Sequence, residues 1–381
     1  MNKKLMAVAV AGALGAPALA MAQASTVQIY GKAVFEYGYV NQGTGKPNAD
    51  IMQGPGGQAI GIKGTEALGG GLSAWYQCES SADIRGDVAA GLCTRNSALG
   101  LKGGFGSVYI GKWDTPYKRV MLRGEVGVED TGLLGIADYV SGGSTGAGAG
   151  GAVSRTLWQR RQHDSINYDT PNFSGFQGHF AYSASNATAT TSAATSAKPR
   201  IWSVAALYNN GPLLLGLAYE RHNEFGAVGG SNDDNAWALS GSYVFMGKVK
   251  VGGSYNRQNY DMGAGASVDK KSWALGVDWN VSGPHSLFAN YATADDTSGT
   301  AAATPGGFIP GAGPNTGVKK WGVGYQHKFS KRTDGKLGYV RLDNDSAANY
   351  NLMGTNNTGT TTAARLGHSQ DAFVMLLRHT F

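Results

Sequence analysis

The sequence predicts an all-β protein, a transmembrane 16-stranded antiparallel β-barrel with long loops at one end and short turns at the other. Three observations carry that prediction. The chain ends in Phe381, and the run from Phe373 places Phe373, Met375, Leu377, His379 and Phe381 on one face of a strand. Apolar and polar residues alternate in segment after segment of about ten residues. The connections between those segments are short and long by turns. A closed barrel is the only sheet that can sit in hydrocarbon with every backbone donor and acceptor paired.

The alternation is plain from the first segment. Val27, Ile29, Ala33, Phe35, Tyr37 and Tyr39 share one face, and Gln28, Lys32 and Glu36 the other. Trp273, Leu275, Val277, Trp279 and Val281 oppose Ser272, Ala274, Gly276, Asp278 and Asn280. Trp321, Val323, Tyr325 and Phe329 oppose Lys320, Gly322, Gln326 and Lys328, and Val249, Val251 and Tyr255 oppose Lys248, Lys250, Ser254 and Asn256. Leu213–Leu217 is apolar on both faces. The polar sets belong to a watery lumen, because a charge facing lipid at mid-bilayer costs roughly 2–4 kcal/mol.

Short turns are expected at 69–71, 103–104, 172–175, 209–212, 246–247, 282–284 and 330–335, and long loops at 41–58, 80–93, 114–161, 184–199, 223–235, 261–269, 294–316 and 344–368. The strands so bounded number 16, which puts both ends of the chain on the short-turn side. The Ala/Thr/Ser-rich run 184–197 reads as an exposed loop tip. Ser141–Gly151 sits within the longest connection, and a connection of that length inside one domain is usually functional.

Residues 1–24 read as a secretory signal, with Lys3 and Lys4 before the small, apolar run Leu5–Ala20 and a small-x-small site at Ala22-Gln23-Ala24. A single membrane anchor is the alternative, but the run is short and broken by Gly12, Gly15 and Pro17. Cleavage after Ala24 leaves 357 residues, 25–381, and lowers the formal net charge from +6 to +4 as the two lysines leave. Beyond it no stretch of 18 apolar residues remains for a membrane helix. With 59 glycines, 18 tyrosines, 8 tryptophans and 15% charged residues, the composition suits short strands between aromatic girdles rather than a soluble enzyme.

Catalysis finds no support. The seven histidines are scattered, no HExxH or CxxC is present, and no GxSxG joins a strand to a helix. His163-Asp164-Ser165 cannot converge, since neighbours on a strand point to opposite faces. The Gly-rich runs lack the Lys-Ser/Thr of a phosphate loop, and no basic stretch with interleaved aromatics suggests nucleic acid. No cofactor or metal is expected.

Several runs, in order along the mature chain, resemble the general-diffusion porins of Gram-negative outer membranes, in particular the betaproteobacterial type. Val27-Gln-Ile-Tyr-Gly31 resembles that family's opening strand, and Gly61-Ile-Lys-Gly-Thr-Glu66-Ala-Leu-Gly-Gly-Gly-Leu72 its second hairpin. Gly106-Ser-Val-Tyr-Ile-Gly-Lys112, followed by Pro116, resembles the fifth strand. Ser165–Phe176 resembles the strand leaving the third loop, and Phe329-Ser-Lys-Arg-Thr333 a late turn.

The resemblance implies a homotrimer of 16-stranded barrels in outer-membrane lipid and lipopolysaccharide, with Phe381 addressing the barrel-assembly machinery. It implies a water-filled channel for small hydrophilic solutes and anions, not an enzyme. It also implies a third loop, Tyr117–Arg161, folded inward, where Arg119, Arg123, Arg155, Arg160 and Arg161 meet Glu125, Glu129, Asp130 and Asp138. Arg95 and Arg161 match family arginines of the constriction, and Glu79 an acidic partner across it. Where the family often has an arginine, this chain has Ala59, so the opening is expected to be wider or less anion-selective. Lys63 falls on the polar face of its own segment and is expected to line the wall. A solute-specific porin, for a sugar or an organic anion, is the alternative. It requires an aromatic slide or a basic ladder along the lumen, whereas Tyr and Trp fall mostly on the apolar faces.

Cys78 and Cys93 are the only cysteines and flank one loop. An exported chain favours a disulfide over metal binding. Two buried thiols remain the other reading, since Cys78 lies on the apolar face of its strand.

Overall fold

The computed structural model describes residues 26–43, 47–55, 57–83, 85–86, 91–126, 132–136, 158–184, 199–225, 233–306, 309–352 and 366–381. The expected signal at 1–24 lies outside them, as do the loop tips 141–151 and 185–198, and Glu129, Asp130, Asp138 and Arg155.

The strands are β1 (Thr26–Asn41), β2 (Ala49–Gln53), β3 (Ala59–Gly69), β4 (Leu72–Ser80), β5 (Ser97–Gly103), β6 (Gly106–Asp114), β7 (Arg161–Asp169), β8 (Phe176–Ala184) and β9 (Arg200–Asn210). They continue as β10 (Leu213–Asn223), β11 (Asp233–Phe245), β12 (Val249–Gly263), β13 (Ala266–Ser282), β14 (His285–Ala294), β15 (Ser298–Gly299), β16 (Val318–Lys328), β17 (Thr333–Asn344) and β18 (Gln370–Thr380). Every pairing is antiparallel between neighbours, and β1 pairs with β18 from Lys32↔Thr380 to Asn41↔Asp371, which closes the ring. β2 and β3 share one position in the wall, both pairing with β1, and β15 is a two-residue extension against β13. The wall therefore has the 16 strands that the alternation predicts.

The burial pattern is inside-out. Leu99, Ile110, Trp237, Leu239, Leu275, Trp279, Leu337 and Phe373 are exposed on the outer face, while Ser203, Glu220, Asn256, Gln258, Lys270, Ser272 and Lys320 are buried on the inner one. That inversion is stable only where hydrocarbon bathes the outside. No helix among the described residues is long and apolar enough to cross a membrane.

Two expectations are corrected. Residues 261–269 are not a long loop, because β12 and β13 run on to a tight tip at Ala264 and Gly265. Gly263, Ala264 and Gly265 all take positive φ (82°, 51° and 78°), the left-handed geometry of a hairpin turn. The inner face is also not uniformly polar. Val340, Leu342 and Val374 face inward and are buried in one cluster with Ala348, Tyr350 and Leu352 of the loop after β17 and with Leu133 and Leu134, which belong to a part of the chain that enters the barrel.

That part follows β6. Helix α1 (Pro116–Met121) starts with the Thr115 side chain accepting from the Lys118 N–H and a proline in its first turn, where a missing N–H costs nothing. It packs on the inner face of β9–β11. The Tyr117 N–H donates to Ser203 Oγ (3.0 Å), and Ser240 Oγ donates to the Val120 carbonyl (2.5 Å). Small residues make the floor beneath it, among them Ala205, Ala218, Ala236 and Ala238. Farther along, Val126 lies against Gly252 and Gly276, Leu134 against Gly338 and Leu133 against Gly38. The described parts of the segment thus touch the inner wall at β9–β13 and again at β17 and β1. Glycines let it come close where any side chain would collide.

Candidate functional site

The polar residues that the sequence singles out lie on β3–β8 and at the foot of α1. Lys63 on β3 is exposed on the inner face, its ammonium 4.9 Å from the centre of the Tyr30 ring. Glu79 on β4 accepts from Tyr30 (3.0 Å) and from Arg95 Nε (2.7 Å). The Arg95 backbone N–H also donates to the Glu79 carbonyl (2.8 Å). Arg95 and Glu79 are therefore joined on one wall, where the resemblance implied partners across an opening.

Arg161, the first residue of β7, pairs with Asp114 (3.1 Å) and donates to Asn96 (3.1 Å). Lys118 of α1 shares Asp114 at 2.9 Å. Arg119 grips Asp169 with two guanidinium nitrogens (2.8 and 3.1 Å), and His179 stands 2.7 Å from the same carboxylate. Arg119 and Arg161 thus reach carboxylates of the barrel wall. Burial and the like charge of Arg119 push the pKa of Arg123 below the usual arginine range.

Arg160 stands apart. It is 1% exposed and lies over the Phe225 ring, 5.1 Å from its centre, so it does not face lumen water. Ala59 is buried on the inner face of β3, and its register partner on β1 is Lys32. A cation therefore stands beside the position where the arginine is missing. Cys78 and Cys93 are joined as a disulfide that straps the loop between β4 and β5, with Cα atoms 4.6 Å apart.

Several residues of the site escape a reading by pattern alone. Asp114, Lys118 and Asp169 sit at strand ends and in a six-residue helix, where the period of two gives no face. Trp75 and Lys102 were legible in principle, since each alternates with outward Tyr76 or Leu101. Trp75, Tyr109 and Trp113 form a cluster with ring centres 5.2–5.7 Å apart. Trp75 and Tyr109 lie over inward-facing Gly100, so the aromatics are not confined to the lipid side. Among the described residues no group of three or more His, Cys, Asp or Glu is placed to hold a metal.

A closed sheet with an apolar exterior, a polar interior and a loop folded into that interior defines a membrane β-barrel channel. The chain belongs to the Gram-negative porin family, whose model matches residues 7–347. It is 29% identical, over the whole of both chains, to outer membrane porin protein 32 of Delftia acidovorans. Among solved structures it is similar to the anion-selective porin from Comamonas acidovorans, with a TM-score of 0.76, 25% identity and coverage of 94% of this chain and all of that one. OmpT of Vibrio cholerae in its trimer form shares the fold, with a TM-score of 0.65 at 15% identity over 94% of this chain and all of that one. The protein is a multi-pass β-barrel porin of the outer membrane.

Proposed function

We propose that this porin passes small hydrophilic solutes and ions by diffusion with a modest preference for anions. One observation carries the sign of that preference. Among the described residues, Arg95, Lys118, Arg119 and Arg161 pair with three carboxylates, Glu79, Asp114 and Asp169, and Lys63 adds a further positive charge to the inner wall. Excess cations along a narrow, low-dielectric wall raise the local anion concentration, and salt damps the effect. The anion selectivity printed for the Comamonas acidovorans porin supports the reading. The reversal potential of the purified protein in a planar bilayer under a potassium chloride gradient tests it. A chloride-side potential that shrinks at high salt is expected, and a potassium-side potential overturns it.

A homotrimer is the assembly we infer, supported by the trimer form of Vibrio cholerae OmpT. Mass measurement in detergent tests this, and a monomer would refute it. Export would be directed by residues 1–24, so the mature protein is expected to begin at Ser25. Intact mass reads this directly.

A further inference from the structure

Between the turn ends of β1 and β3–β8 the lumen wall opens into a recess of about 860 Å³. Trp75 lines it, with Lys63 and Lys102 on either side. Their arrangement follows from the register. Thr65 and Gly100 are the cross-strand partners of Trp75, while Lys63 pairs with Gln77 and Lys102 with Ser73. Each lysine is thus a diagonal neighbour of the indole on the same face, ~7–8 Å away at the backbone.

The indole is held in place. Its N–H donates to Ser107 Oγ (3.1 Å), and the ring lies over Gly100, where a Cβ would come within 2.7 Å of it. Tyr109 and Trp113 pack beside it. Among the described residues neither lysine takes part in an ion pair, and both are exposed. Asp169, which also borders the recess, is already held by Arg119 and His179. A fixed aromatic surface between two cations without carboxylate partners has the chemistry to hold a flat anion: the ring takes the π-face and an ammonium takes the carboxylate.

We propose that Lys63, Trp75 and Lys102 form a subsite for planar aromatic carboxylates, which bind there briefly as they cross. The subsite rests on the channel reading and narrows it toward one class of solute.

The test is single-channel chloride current in a planar bilayer, with benzoate or cyclohexanecarboxylate added as blocker. The two carry the same charge at similar size, but only benzoate is flat and aromatic. Benzoate is expected to block at a concentration about tenfold lower, a difference of 1.4 kcal/mol. Trp75→Ala should abolish that difference, Trp75→Phe should keep most of it, and Lys63→Gln with Lys102→Gln should weaken both acids. Trp279→Phe, on the lipid face, serves as the control and should change nothing. Equal block by the two acids in the unaltered protein, or a benzoate preference that survives Trp75→Ala, overturns the subsite. A protein that forms no conducting step would instead overturn the channel reading beneath it.

Discussion

Leu133 of the inward loop fills the space over Gly38 of β1, so closely that a Cβ at Gly38 would overlap Leu133 Cδ1. The same loop is tied there by the Leu133 N–H, which donates to Glu36 Oε1 (2.9 Å). One glycine on the wall thus sets how far the loop reaches across the lumen.

Gly38→Val should push this end of the loop off the wall. Overpacking of this kind costs about 1–3 kcal/mol. The barrel should still close, since Gly38 lies within an extended strand paired on both sides. Single-channel conductance should change, with noisier open states. A conductance trace identical to that of the unaltered protein would show that Leu133 does not position the loop.

Closure itself rests on Phe381 and Gly31. Gly31 and Phe381 exchange two backbone hydrogen bonds of 3.1 Å, and the terminal ring lies across the space where a Gly31 side chain would be. Gly31→Val should cost about 1–3 kcal/mol by the same overpacking and slow barrel assembly. The folded fraction on unheated gels after refolding into detergent checks this.

Removing the strap between Cys78 and Cys93 by replacing both with serine should cost roughly 3 kcal/mol in the chain-entropy model for a loop of about 15 residues. The Tm should fall while ion preference stays the same. An unchanged Tm in reductant and oxidant alike would contradict it.

Arg119→Ala leaves Asp169 with His179 and the Tyr109 hydroxyl and loosens the foot of α1 from the wall. Losing hydrogen bonds to a charged group costs roughly 1.5–3 kcal/mol. Deleting a lumen cation should also move the reversal potential toward zero. A shift toward stronger anion preference would reverse the proposed role of the cluster.

Acid should release the loop after β4. Burial favours the neutral form of Asp83, but the Arg85 guanidinium and backbone N–H outweigh it and hold the carboxyl below its ordinary range. Arg85 also donates to the Met52 carbonyl (2.7 Å), linking this loop to β2. A lowered folded pKa contributes stability above the unfolded value, about 3.9, and that stability is lost as pH falls through the folded one. Protease cleavage in this loop should therefore rise below about pH 4, and Asp83→Asn should raise it at neutral pH. Cleavage independent of pH would refute the link.

Much of this was readable along the chain. Val27 and Ile29, Leu215 and Leu217, or Phe373, Met375 and Leu377 each mark an outer face because lipid tolerates no charge there. Gly263 and Gly265 misled, since a glycine-rich stretch reads equally as a loop or as the tip of a long hairpin. Lys63, Arg95 and Arg161 stand out by residue type. Arg160 looks the same as Arg161 in sequence, yet one is buried over Phe225 and the other pairs with Asp114.

The amino-acid order by itself determined the wall: a period of two, the short and long connections, and an aromatic end to meet the first strand. Those are local properties of successive side chains. Only the tertiary structure decided which inward residues meet water and which are sealed. That depends on where one long loop comes to rest, through contacts such as Ser240 with Val120 and Leu133 with Glu36, made between residues about a hundred or more positions apart. No local pattern encodes such a meeting, because each partner alone is an ordinary small, acidic or apolar residue on a strand or loop.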